Sequence, residues 1–245
     1  MCNYLSYKPM KSASTNRKGF TLIELLTIIT IITILTTNVF AGFFDVIRTS
    51  KKNKAMTQLR MISQSYLTFN SGFKVIKDEA WHAKAAPTSA TTLQEFAAVL
   101  ALNAGLNSGE IWYVDVDPAN ERAAFPRQVL VGSAGAETIN PDFKTPSVAS
   151  GFQSWTTYAP SNKFPNEQIP LIWSRGLLPT GKWDAALGVW GSEGGHIAFG
   201  DTHVEWRTDT SAPENQFISK KTPGETTANW MEAASKIAVR ELKSK

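Results

Sequence analysis

The sequence predicts an α+β protein in which a long N-terminal helix lies on a small antiparallel sheet and a further helix closes the chain. Three observations carry this. An apolar run from Phe20 to Phe44 is followed by a stretch, Asp45 to Asn70, with no Pro or Gly. Short apolar runs at Ser154–Tyr158 and Ile169–Ser174 are bounded by prolines, as antiparallel strands commonly are, and residues 196–206 read as a hairpin. Thr92–Ala104 and Ala228–Lys243 carry helical start, stop or periodicity signals.

The first nineteen residues hold Lys8, Lys11, Arg17 and Lys18 and no acid. The chain's formal charge of +4 therefore belongs to this leader: without it, 21 basic residues face 21 acidic ones. A nucleic-acid partner is not expected from so neutral a remainder. The only cysteine, Cys2, also lies in the leader, so the rest of the chain has no disulfide and no thiolate metal site.

From Phe20 to Phe44 the only charge is Glu24. As a helix this run spans roughly 37 Å, enough for a hydrocarbon core of about 30 Å. Thr27, Thr30, Thr33, Thr36 and Thr37 can bond back to carbonyls one turn earlier, which makes them tolerable in lipid. A signal peptide cut after Val39-Phe40-Ala41 fits poorly, because the run is too long and contains an acid. A plain one-pass anchor leaves Glu24 unexplained, since a carboxylate deep in a membrane helix is costly. Cations flank both ends, with Arg48, Lys51, Lys52 and Lys54 following the run, so charge alone sets no orientation.

Beyond the run, Ile47, Ala55, Leu59, Ile62 and Tyr66 recur on one helical face. Gly72 is a fitting left-handed stop after Asn70-Ser71. Thr92 and Glu95 have capping-box spacing and Gly105 closes that second helix. Ile111–Asp115 reads as a short strand. Residues 118–153, rich in Pro, Gly, Ser and Ala, read as a long connection with one strand at Gln128–Val131. The hairpin comprises His196–Phe199, a Gly200-Asp201 turn and His203–Trp206. In the last helix Trp230, Ala234, Ile237 and Ala238 face inward, with Glu232/Lys236 and Glu241/Lys245 as i,i+4 pairs.

Lys18-Gly-Phe-Thr-Leu-Ile-Glu-Leu-Leu26 closely resembles the prepilin processing motif of type IV pilins and type II secretion pseudopilins. In that family a membrane peptidase cuts after the glycine and N-methylates the new terminal residue. The resemblance implies cleavage between Gly19 and Phe20, N-methylation of Phe20, and pairing of Glu24 with the terminal amine of a neighbouring subunit. It further implies a pilin-like architecture: a cleaved leader (1–19), a transmembrane helix (20–44), its extracytoplasmic continuation (45–72) and a globular α+β domain (73–245). The expected setting is the inner membrane, crossed once, with the C-terminal domain periplasmic. The expected partners are the prepilin peptidase and other pilin or pseudopilin subunits, and the expected role is structural, in a type II secretion pseudopilus or related filament. The alternative is a membrane-anchored extracytoplasmic binding module that does not polymerise. Many pilins have a proline partway along the mature helix; this chain has none between Pro9 and Pro87.

Residues 194–206 resemble the end of a prepilin-related bacterial family whose signature is a histidine, nine residues, then Asp-Gly and a short strand. Here Gly191 stands at the histidine position and Thr202 at the glycine.

The remaining chemistry is sparse. His196, Asp201, His203 and Glu205 crowd one hairpin and are read as turn and surface residues rather than a metal site. Asp115 and Asp117, with Glu110 or Asn120, are oxygen donors that do not complete a calcium loop; the resemblance makes calcium the one cofactor to consider, since some pseudopilins bind it. No nucleophile elbow, phosphate loop or cysteine nucleophile is present, so no catalytic residue is assigned and no enzyme is expected. Trp155, Trp173, Trp183, Trp190 and Trp206 are read as core and hairpin packing, with an aromatic binding surface for sugar chains or a secreted protein as the alternative.

Overall fold

A computed structural model describes residues 19–71, 76–77, 79–120, 125–152, 169–219, 221–222, 224–234 and 240–242. The chain is α+β and pilin-like, and divides into two compact units between Arg48 and Thr49. It begins with α1 (Leu22–Ser71), a single helix of 50 residues. The expected stop at Gly72 lies outside the described residues. Among the described residues no helix is long and apolar enough to cross a membrane; side chains of residues 37–42, inside the expected 20–44 span, are not among those described.

In the second unit, α1 buries Ala55, Leu59, Ile62, Tyr66 and Phe69. Spacings of four and three place these on one stripe, the pattern of a helix with one covered face. Each large member contributes about 1.5–3 kcal/mol by leaving water. The stripe packs with α2 (Leu93–Ala104), whose Phe96 ring lies 6.1 Å from Tyr66. The Thr92 hydroxyl accepts the Glu95 N–H at 3.3 Å, and Gly105 ends α2 at φ 75° with its N–H on the Leu100 carbonyl. The Glu95 carboxylate reaches one residue further back than a capping box requires, to the N–H and hydroxyl of Thr91.

The expected strand at Ile111–Asp115 is instead a 3-10 turn, Glu110–Trp112, with Tyr113 extended after it. Trp112, Tyr113 and Val114 are all buried, so no two-faced alternation exists here. Their backbone is held by side chains from elsewhere: Gln58 donates to the Glu110 and Tyr113 carbonyls, and Val114 N–H donates to Ser147 Oγ.

Residues 125–152 are more ordered than a connection. They form β1 (Leu130–Val131), β2 (Thr138–Ile139) and β3 (Val148–Phe152). β1 and β2 make a two-stranded ribbon, with β1 inside the expected 128–131 strand. β3 enters the main sheet beside β4 (Pro170–Ser174), β5 (Gly195–Phe199) and β6 (Val204–Arg207). The expected strand at Ser154–Tyr158, and Trp155 with it, lie outside the described residues.

A second ribbon joins β7 (Phe217–Ile218) to β8 (Thr226–Thr227) and leads into α3 (Trp230–Ala234). The C-terminal helix is thus present but far shorter than the expected 228–243. Arg240–Leu242 form β9, antiparallel to β3 with Ser150 opposite Leu242. Pairing with β9 satisfies a strand edge that would otherwise stand open, a tertiary gain that outweighs local helix preference. Glu232 accepts from Lys221 and Thr227, and Lys236, Ile237, Ala238 and Lys245, with the expected i,i+4 pairs, lie outside the described residues.

The sheet order is β6-β5-β4-β3-β9, all antiparallel. β4 and β5 are buried along their whole length. One face, with Ile172, Ala198 and Val204, meets the α1–α2 core; the other, with Ala149, Trp173, Ile197 and Phe199, packs on Trp183, Phe217 and Trp230. Among the described residues most tryptophans of the C-terminal half are interior. Trp173, Trp183 and Trp190 are buried, Trp206 half-buried, and Trp230 lies 4.6 Å from the Trp173 ring.

Candidate functional site: the processing and assembly segment

Gly19, Phe20 and Thr21 precede the helix and carry no helical backbone; the first i→i−4 bond runs from Leu25 N–H to the Thr21 carbonyl at 3.2 Å. The Gly19–Phe20 peptide therefore lies in non-helical chain just ahead of α1. A Cβ added at Gly19 would meet nothing within 4 Å, and Phe20 is 77% exposed. A peptidase reaching this bond meets no packed neighbour among the described residues.

Glu24 has a partner that the linear reading overlooks. Its Oε2 accepts the Thr21 N–H at 2.8 Å and the Thr21 hydroxyl at 2.8 Å, while Glu24 N–H donates to Thr21 Oγ1 at 3.2 Å. This is a reciprocal capping box. It satisfies N–H groups at the helix start that have no intrahelical acceptor, and sets a carboxylate against the positive end of the macrodipole. The Thr-x-x-Glu spacing that marks α2 was the available signal at Thr21 as well.

From Phe20 to Leu35 every large apolar side chain is exposed, from 43% for Ile28 to 84% for Leu22. These residues go all the way round the helix, so the segment is apolar on every side. The threonine hydroxyls are already used: Thr27, Thr33 and Thr36 donate to the carbonyls of Ile23, Ile29 and Ile32 at 3.0, 2.7 and 2.6 Å, and Thr30 donates likewise to Leu26. With the hydroxyls closed on the backbone, the segment offers surroundings methyl groups and a single carboxylate.

The other candidate residues have partners within the second unit. Asp115 takes the Lys54 ammonium at 2.7 Å. Asp117 is buried, ion-paired with Arg175, and accepts from Ala119 N–H and the Asn120 amide. These two carboxylates are thus held by separate partners, and among the described residues no group of three His, Cys, Asp or Glu could hold a metal ion. His203 and His196 are not brought together. His203 stacks on Phe199 at 4.4 Å and meets Asp201 Oδ1 at 2.5 Å, whereas His196 lies on the other face of β5 between Trp190 and Trp206. Thr202, after the Gly200-Asp201 turn, has φ 75°.

Residues 14–37 match the prokaryotic N-terminal methylation motif. No curated protein and no solved structure matches the chain. The matched stretch begins ahead of Gly19 and Phe20, contains the Thr21–Glu24 cap, and ends within the apolar part of α1. This chain carries, at its N terminus, the methylation signature of type IV prepilin-like precursors.

Proposed function

We propose that the protein is a pseudopilin or minor pilin-like structural subunit. Prepilin peptidase cuts between Gly19 and Phe20 and the new Phe20 amine is methylated. The mature chain is held in the inner membrane by the apolar part of α1, with its C-terminal domain in the periplasm. Subunits then pack helix to helix in a type II secretion pseudopilus or related filament. No catalytic residue and no cofactor is assigned, calcium included. The observation that carries this reading is the methylation motif running into the apolar first part of α1, where Glu24 is the one acid between Phe20 and Phe44. Cleavage creates a cation one helical turn from that acid, and a carboxylate in apolar surroundings is tolerated when paired.

The Thr21–Glu24 cap gives the alternative its own footing. If Glu24 only caps its own helix, the chain is an anchored binding module with no need to polymerise. Glu24→Gln separates the two, because glutamine keeps the capping acceptor and loses the charge. For a filament subunit, Glu24→Gln is cleaved normally and its incorporation falls at least about tenfold, as expected when a buried charge loses its partner. Normal incorporation would favour the cap. Mass spectrometry of the mature N terminus tests the processing itself: N-methyl-Phe20 is expected, and a terminus at Gly42 would overturn it.

A further inference from the structure

We infer that His196 and Lys52 form an acid-sensitive latch that ties the second half of α1 to the β5–β6 hairpin and opens when the imidazole gains a proton. His196, on β5, is 3% exposed, and its Nδ1 has no hydrogen-bond partner. Its ring meets Trp206 at 4.9 Å and Trp190 at 6.1 Å, and those two indoles meet each other at 5.7 Å. Lys52 of α1 closes the cluster, with Nζ 3.7 Å from the Trp206 ring centre and 5.8 Å from that of Trp190. One aromatic pocket thus holds a cation from the helix against a neutral, buried base from the sheet.

The groups facing His196 can be named element by element. From α1 comes the Lys52 ammonium; from the 191–193 turn comes Glu193, whose carboxylate lies 3.8 Å from Lys52. From β4 comes only the Ser174 hydroxyl, which accepts the His196 N–H at 3.2 Å. On β6, Trp206 is uncharged, and alternation along the strand turns Glu205 and Arg207 to the opposite face.

A proton on His196 would place a second cation under Lys52 in a site with no acceptor for Nδ1. Burial and the nearby ammonium accordingly pull the imidazole from its ordinary 6.5 down to about 4. The sign follows for a base with a depressed folded value. The stabilisation is whole above pH 6.5 and is lost as pH falls towards about 4. The contacts that relieve the strain are those of Lys52, so the stretch of α1 around Lys52 is what lets go.

The test is a pH titration of the full chain in non-ionic detergent micelles, followed by tryptophan emission and by hydrogen exchange, corrected for intrinsic rates, across residues 49–63. The wild type is expected to show a reversible transition between pH 6.5 and 4, with exchange faster on the acid side. His196→Phe and His196→Gln should each remove it, the second being the check should the first not fold. Lys52→Met takes away the repelling charge and should move the midpoint up in pH, with about tenfold more protonated His196 at a given pH for each unit moved. A transition that survives both histidine substitutions, a wild type without one, or a midpoint unmoved in Lys52→Met would overturn the latch.

Discussion

The two halves of α1 share one helix geometry and present opposite surfaces. From Phe20 to Leu35 every large apolar side chain is exposed, while in the second half Ala55, Leu59, Ile62, Tyr66 and Phe69 form one buried stripe and only Met61 and Leu67 of the large apolar side chains there stay exposed. The second half therefore completes its folding within its own chain. Among the described residues nothing covers the first half, and an apolar surface on all sides calls for an apolar medium or other helices. The hydroxyls of the helix do not follow this division: Thr27, Thr30, Thr33 and Thr36 in the first half, and Thr57, Ser63, Thr68 and Ser71 in the second, all donate to carbonyls of their own helix.

The largest test of this contrast is a pair of truncations of similar chemistry. Leu59→Ala removes a fully buried side chain and should cost about 2–5 kcal/mol. Ile28→Ala, in the exposed half, should change the stability of the second unit by less than about 0.5 kcal/mol. Denaturant unfolding in detergent micelles, read through tryptophan emission, measures both. Equal losses would show that the halves do not differ as described.

What was legible in the sequence follows from how local each signal is. Thr92 and Gly105 bracket α2, and Gly200-Asp201 turns the β5–β6 hairpin, because a few neighbouring residues decide those conformations. The processing segment was legible for the same reason. Trp112-Tyr113-Val114 has strand-like residue types, yet its path is decided by Gln58 and Ser147, far away in sequence. Arg240–Leu242 sits in a run of helix formers and becomes β9 because β3 offers an open edge. The cap on Glu24 was local and still missed, since an acid beside a cleavage motif draws attention to its charge rather than to its spacing.

A smaller test compares the two caps. Thr92→Ala removes the hydroxyl that holds the start of a buried helix, and should cost about 1 kcal/mol in global unfolding. Thr21→Ala removes the corresponding hydroxyl outside the second unit. It should leave that transition unmoved and speed hydrogen exchange at residues 22–25. A global loss from Thr21→Ala would mean that the start of α1 and the second unit unfold together.

The smallest effect is expected at Thr202, where the change should stabilise. A β-branched residue at φ 75° holds its Cβ against the following carbonyl, a conformation that costs an L-residue roughly 1–2 kcal/mol relative to its usual regions. The turn tolerates it because Thr202 N–H bonds the Phe199 carbonyl and Asp201 Oδ1 accepts the His203 N–H, which together fix the reversal between β5 and β6. Thr202→Gly relieves the clash but enlarges the freedom of the unfolded chain, so the net gain should be about 0.5–1 kcal/mol. Thr202→Asn, which accepts the left-handed region more readily than threonine, should fall between the two. If glycine brings no gain, the hairpin is not strained at this residue.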